Sequence, residues 1–101
     1  MDIIRLNIIN GIKYKVLSGV DLGVTARKAF NLDLLDSQEN IVTIQIPDEV
    51  YSVNSSFFSG MFQKSIKTLG DKVFRERYLF ECDDIIKMNV ENGISDIVKL
   101  L

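Results

Sequence analysis

Residues 41–70 constrain this chain more than any other stretch, because an apolar strand, a proline-marked loop and a helix with one apolar side follow one another there without a gap. Ile41, Val42, Thr43, Ile44, Gln45 and Ile46 are mostly β-branched and apolar, which suits an interior strand better than an edge with one wet face. Pro47 lacks the N–H that a ladder needs, so the strand ends there, and Asp48 and Glu49 read as exposed loop. Phe58, Met61, Phe62, Ser65, Ile66 and Leu69 then fall on one side at steps of three and four, the spacing of a helix. Asn54 or Ser55 carries a short side-chain oxygen able to accept from the free N–H groups of a first turn, and Gly70 suits the stop. A helix over Ser55–Leu69 is predicted.

The hydroxyls at that helix start are the candidate functional feature. Backbone donors and the positive end of the helix dipole favour negative charge there, whether a phosphate or a partner's carboxylate. The plainer account is that Asn54, Ser55 and Ser56 only cap the helix, which is what most serines at such positions do.

Upstream, Ile4, Leu6 and Ile8 alternate with Arg5 and Asn7, and Ile12, Tyr14 and Val16 alternate with Lys13 and Lys15. Asn10-Gly11 between them supplies the residues that a two-residue turn requires. A hairpin follows, with one face buried and Arg5, Lys13 and Lys15 turned to water as edge protection. Residues 18–23 hold two glycines and few charges and read as a surface loop. Thr25 then caps a helix carrying Ala26, Ala29, Phe30, Leu34 and Leu35 and ending near Asp36. Strand, helix, strand in that order implies a right-handed crossover. The loop before Thr25 and the turn at Asn54 should therefore share one edge of the sheet, where α/β folds bind their ligands and partners.

Beyond Gly70, Phe74, Tyr78 and Phe80 alternate with Arg75 and Arg77, so the second half of 73–80 reads as a strand. Asp83 and Asp84 suit the start of a last helix, whose stripe is Ile86, Val90, Ile94, Ile97 and Leu101. Gly93 costs that helix about 1 kcal/mol relative to alanine, and Asn92-Gly93 leaves open a turn between two shorter helices. The expected fold class is α/β: an α+β mixed sheet of about four strands, with a β-hairpin start and helices packed mainly on one face. Residues 1–101 make one domain.

Composition narrows the function by exclusion. Without histidine the usual general base, metal ligand and Ser-His or Cys-His pairs are missing, so no catalytic residue, metal or cofactor is expected. Cys82, beside Asp83 and Asp84, lacks the cationic neighbours that activate a thiol and reads as a packing residue. The glycines show neither nucleotide-binding spacing. A net charge of −2 argues against a protein that lives on a nucleic acid backbone. One unpaired cysteine and the lack of a leader-like or membrane-spanning run point to the cytoplasm and away from the membrane.

The order strand, loop, polar-Ser-Ser, helix resembles the STAS fold of anti-sigma factor antagonists and sulfate-transporter tails, where an Asp-Ser-Ser-Gly turn opens the second helix. Here the turn is Asn54-Ser55-Ser56-Phe57. The chain is more similar still to small bacterial and phage STAS-like domains of uncharacterised role. In those a Ser-Phe pair opens that helix, as Ser56-Phe57 does, and an Arg-Lys-Ala type helix precedes the strand, as in Ala26-Arg27-Lys28-Ala29. Ser55 matches the phosphorylated position of the antagonists. Asn54 stands where they carry Asp and Phe57 where they carry Gly, while Ile46 and Gly60 occupy places where the STAS-like domains usually hold acids.

The resemblance implies docking to a protein partner, such as a histidine-kinase-like ATPase, with a phosphoserine as the switch. The expected contact surface is Val53, Asn54, Ser55, Ser56, Phe57 and Ser59 together with Asp21 and Gly23 of the 19–23 loop, in a monomer or homodimer. Ser55 and Ser56 are the phosphorylation candidates. The alternative is a nucleic-acid or nucleotide binder using Lys64, Lys67, Arg75 and Arg77 of a basic patch that also holds Lys72, with Phe74 or Tyr78 as a stacking surface. A phage or mobile-element inhibitor of a host protein is a third reading that sequence does not separate from the first.

Overall fold

The computed structural model describes residues 2–101. In chain order these form β1 (Asp2–Arg5), β2 (Ile8–Ile9), β3 (Ile12–Lys13), β4 (Val16–Leu17), α1 (Val20–Ala29), α2 (Leu32–Ser37), β5 (Val42–Gln45), β6 (Ser52–Val53), α3 (Ser55–Leu69), α4 (Asp71–Arg77), β7 (Tyr78–Glu81) and α5 (Asp84–Lys99). The apolar run at 41–46 is indeed interior: β5 lies between β1 and β7 in a three-stranded sheet, parallel to both. Two short ladders stand apart from it, an antiparallel β2-β3 pair and a parallel β4-β6 pair. The result is an α/β architecture with parallel and antiparallel pairing and, among the described residues, five helices.

Several expectations are corrected. The Asn10-Gly11 turn exists, with both residues at positive φ, but its hairpin spans only β2 and β3 and adds no strand to the main sheet. Alternation at 4–8 implies a single strand; the chain instead pairs 2–5 with β5 and then turns at Leu6 and Asn7. The expected loop at 18–23 is mostly helix, since α1 begins at Val20 and includes Gly23. That helix also stops sooner than its stripe suggested, because Asn31 adopts a left-handed φ of 56° and separates α1 from α2. Phe74, in the half of 73–80 not read as strand, belongs to α4, and its ring stacks on Tyr78 four residues on, at 4.9 Å between centroids. Tyr78 and Phe80 lie in β7, as their alternation implies.

The last helix runs unbroken through Gly93, opened by Asp83, whose side chain accepts from the Ile86 N–H at 2.8 Å. Glycine is required at 93 because a Cβ there would meet the Phe58 ring at 2.6 Å. No helix among the described residues is long and apolar enough to cross a membrane.

All of this packs around α3. Phe57, Phe58, Met61, Phe62 and Ile66 are buried along it. The Phe62 ring centre lies 4.8 Å from Phe58, 5.5 Å from Phe80, 5.7 Å from Phe74 and 5.9 Å from Tyr78, so one side chain joins α3, α4 and β7. On its other side α3 meets α1 backbone to backbone. A methyl on Gly60 would drive into the Val20 carbonyl oxygen, and one on Gly23 into that of Phe57 with Gly60 Cα 2.9 Å away. Neither obstacle is a flexible side-chain end, so the helices must separate to admit it. Gly60→Ala is expected to lower unfolding stability in urea by about 2–3 kcal/mol despite alanine's better helix propensity. A neutral or stabilising result would show that the two helices do not cross this closely.

Candidate functional site

The start of α3 is built by the small β4-β6 ladder. Val16 pairs with Ser52 and Leu17 with Val53, and the Asn54 N–H donates to the Leu17 carbonyl at 2.8 Å, so both chains leave the ladder side by side. Asn54 Nδ2 reaches Ser18 Oγ at 3.2 Å, and the Gly19 N–H donates to Ser56 Oγ at 3.0 Å. A φ of 95° at Gly19, which only glycine adopts readily, turns the chain into α1 at that point. The expected meeting of the segment before Thr25 with the Asn54 turn is therefore what the ladder produces. Neither segment, however, leaves the edge of the main sheet.

The turn does not cap its helix. Asn54 occupies the N-cap position, yet among the described residues no side chain bonds the first-turn N–H groups, since the Asn54 amide is directed to Ser18 instead. Asn54 and Ser55 are exposed and Ser56 is half-buried. Two shallow depressions flank this entrance. One, of about 250 Å³, lies toward α5 and is lined by Val20, Ser55, Ser56, Ser59, Ile97 and Leu100 among others. The other is an open groove of about 710 Å³ between α1 and α3, which shares Val20 and Ser59 and has Lys28, Lys64 and Lys67 along its rim.

Other members of the expected contact surface sit elsewhere. Phe57 is fully buried, and Val53 and Gly23 are buried too, so none of the three presents a side chain to a partner in this conformation. Phe57 points inward because α3 needs that position for its core stripe, and Gly23 is covered by Gly60. Asp21 is exposed on α1, and half-buried Ser59 donates to Gln63 Oε1 at 2.8 Å. The exposed apolar groups beside the hydroxyls are Val20, 52% exposed, and Leu100, 76% exposed.

The expected basic surface is largely engaged within the chain. Lys64 pairs with Asp33 at 3.3 Å, and Arg75 pairs with Asp71 and Glu91 at 2.7 Å each. Arg77 donates to the carbonyls of Leu35, Asp36 and Asn40, where it satisfies the open end of α2. Phe74 and Tyr78 are buried and offer no face for stacking.

Sequence reasoning missed a buried polar cluster under the groove. The Arg27 guanidinium, on α1, donates through Nη2 to Asp36 Oδ2 at 2.6 Å and through Nη1 to the Met61 carbonyl and to Ser65 Oγ, both at 2.8 Å. Asp36 also accepts from the hydroxyls of Ser65 and Tyr78. One ion pair thus joins α1, α2, α3 and β7. Ser65 was the available signal, a hydroxyl on an otherwise apolar stripe, since a buried hydroxyl demands a partner.

Charge follows the same geometry. Hydrogen bonds from Arg27 and then Lys64 hold the exposed Asp33 carboxyl below its ordinary range, so the stability it lends is present above that range and lost as pH falls through the lowered value. Burial first, and then the bond to Asp36, push the Tyr78 hydroxyl far above its usual range, so it remains a donor. Burial also raises the Cys82 thiol, with Asp83 and Asp84 adding to the effect against Lys87.

Comparison with protein-family models, with characterised proteins and with solved structures found no match to this chain.

Removing one partner of a buried pair leaves the other charge stranded. Arg27→Ala should cost about 3–5 kcal/mol in denaturant unfolding, whereas Lys64→Ala, at an exposed pair, should cost about 0.5 kcal/mol or less. Equal losses in the two variants would contradict the assigned roles.

Proposed function

We propose that this chain is a non-enzymatic STAS-like interaction domain that docks a partner protein through the entrance of α3. The observation that carries the reading is that Asn54 and Ser55 stand exposed at a helix start that no side chain caps. The first-turn N–H groups keep their donor capacity, and the dipole favours an acceptor bearing negative charge. Val20 adds an apolar contact next to them, the part that Phe57 cannot play. The order of strand, loop, Asn54-Ser55-Ser56 and helix supports the STAS-like assignment, as does the proximity of the α1 start.

If the domain is switched by phosphorylation, Ser55 is the acceptor. Its hydroxyl is exposed, whereas that of Ser56 is half-buried and accepts from Gly19. A phosphate on Ser55 would add nearly two negative charges to the docking surface, repelling an acidic partner or recruiting an arginine. In the basic patch of the nucleic-acid alternative, only Lys67 and Lys72 make no ion pair or side-chain hydrogen bond among the described residues, and neither aromatic ring is open.

The test is capture of the products of neighbouring genes, among them any histidine-kinase-like ATPase, on immobilised wild type and on a Ser55→Asp, Val20→Lys double variant of unchanged circular dichroism. Loss of a captured protein by the variant is the expected outcome. Equal recovery of every captured protein would remove the α3 entrance as the docking site.

A further inference from the structure

Among the described residues, one face of the main sheet is exposed at its two outer strands, β1 and β7, while Thr43 of the central strand is buried between them. Ile4, Val42, Ile44 and Tyr78 are buried in the core and Phe80 packs against it, whereas the intervening residues of the same strands turn the opposite way. The register sets these outward residues in two rows: Ile3, Thr43 and Leu79, then Arg5, Gln45 and Glu81. Ile3 is 61% exposed and Leu79 45%. Parallel sheets are ordinarily covered on both faces, so two large apolar side chains standing open on this one leave a place for an occupant.

We infer that the occupant is a second copy of this chain, stacked face to face about a two-fold axis that runs along the strands. The charges select it. Arg5 and Glu81 lie at opposite ends of one row with β5 between them, about 10 Å apart across two strand spacings. Among the described residues Arg5 makes no ion pair, and the Glu81 carboxylate accepts only from the Gln45 side-chain amide, at 3.2 Å.

A two-fold of that kind lays β1 of each copy over β7 of the other at the usual distance of about 10 Å between stacked sheets. Ile3 of one copy then meets Leu79 of the other, and Arg5 meets Glu81. Each contact occurs twice, while Thr43 and Gln45 lie near the axis opposite their own counterparts. Self-complementarity in which residue i meets j and j meets i is what a two-fold interface demands. A uniformly acidic or basic partner would repel one end of the row.

Three strands of four residues cover only about 13 by 14 Å, well below the roughly 800 Å² per partner of a stable pair, so the association is weak. It uses a different surface from the α3 entrance and stands or falls separately.

Sedimentation equilibrium up to about 1 mM protein tests it, with wild type, Arg5→Glu, Glu81→Arg and an equimolar mixture of the two variants. Wild type is expected to dimerise with rising concentration. Each variant alone carries one sign at both positions, opposes like charges, and should associate about tenfold more weakly or worse. The mixture pairs opposite signs at both contacts and should recover the wild-type constant. Both positions are exposed, so circular dichroism should be unchanged. A wild type that stays monomeric throughout would overturn the proposal. So would single variants that associate as wild type does, or a mixture no tighter than its components.

Discussion

The contact of α1 with α3 at Gly23 and Gly60 is the constraint from which the rest of this structure follows. With no Cβ on either helix at the crossing, backbone touches backbone, and α1 lies low enough for Arg27 to reach under α3 to the Met61 carbonyl and to Ser65. That reach completes the Asp36 pair, which brings in α2 and, through Tyr78, β7. The same proximity sets Gly19 against Ser56, fixing how α3 begins. A side chain at either glycine would therefore disturb the core pair and the α3 entrance together.

Burial of an ion pair rarely adds stability by itself, because desolvating two charges offsets most of their attraction. Here the geometry provides every partner the pair needs, with Asp36 accepting from Arg27, Ser65 and Tyr78. The consequence is directional. An apolar interior tolerates several packings of helix on helix, whereas this cluster is satisfied in only one relation of α1, α2 and α3. The α3 entrance is thus presented in a fixed attitude, with Ser55 outward and Phe57 inward.

What could be read from the residues depended on the range of the cause. Local patterns served well: β-branched 41–46 is the central strand, the stripe from Phe58 to Leu69 is a helix ending at Gly70, and Asp83 opens the last one. Chemistry between distant segments did not show. Gly19 and Gly23 look like a loop in isolation, and only Gly60, 37 residues after Gly23, explains why a helix should hold a glycine there. The ladder of β4 with β6 has two residues per strand, too few for any periodicity. Of the site, the hydroxyl turn at 54–56 and its meeting with the 18–19 segment were legible. The inward turn of Phe57 was less so, because Phe57 and Phe58 adjoin and the stripe was drawn through Phe58 alone, whereas α3 buries both.

The central claim is that α3 is clamped along its length while its first turn stays open to an acceptor from outside. Residue-resolved amide hydrogen exchange measures this directly. Met61, Phe62 and Ile66 N–H groups should exchange only through global unfolding, while those of Ser55 and Ser56, which no side chain caps, should exchange faster by about three orders of magnitude or more. Protection at Ser55 and Ser56 equal to that at Phe62 would contradict the account, since those donors would then already be held within the fold.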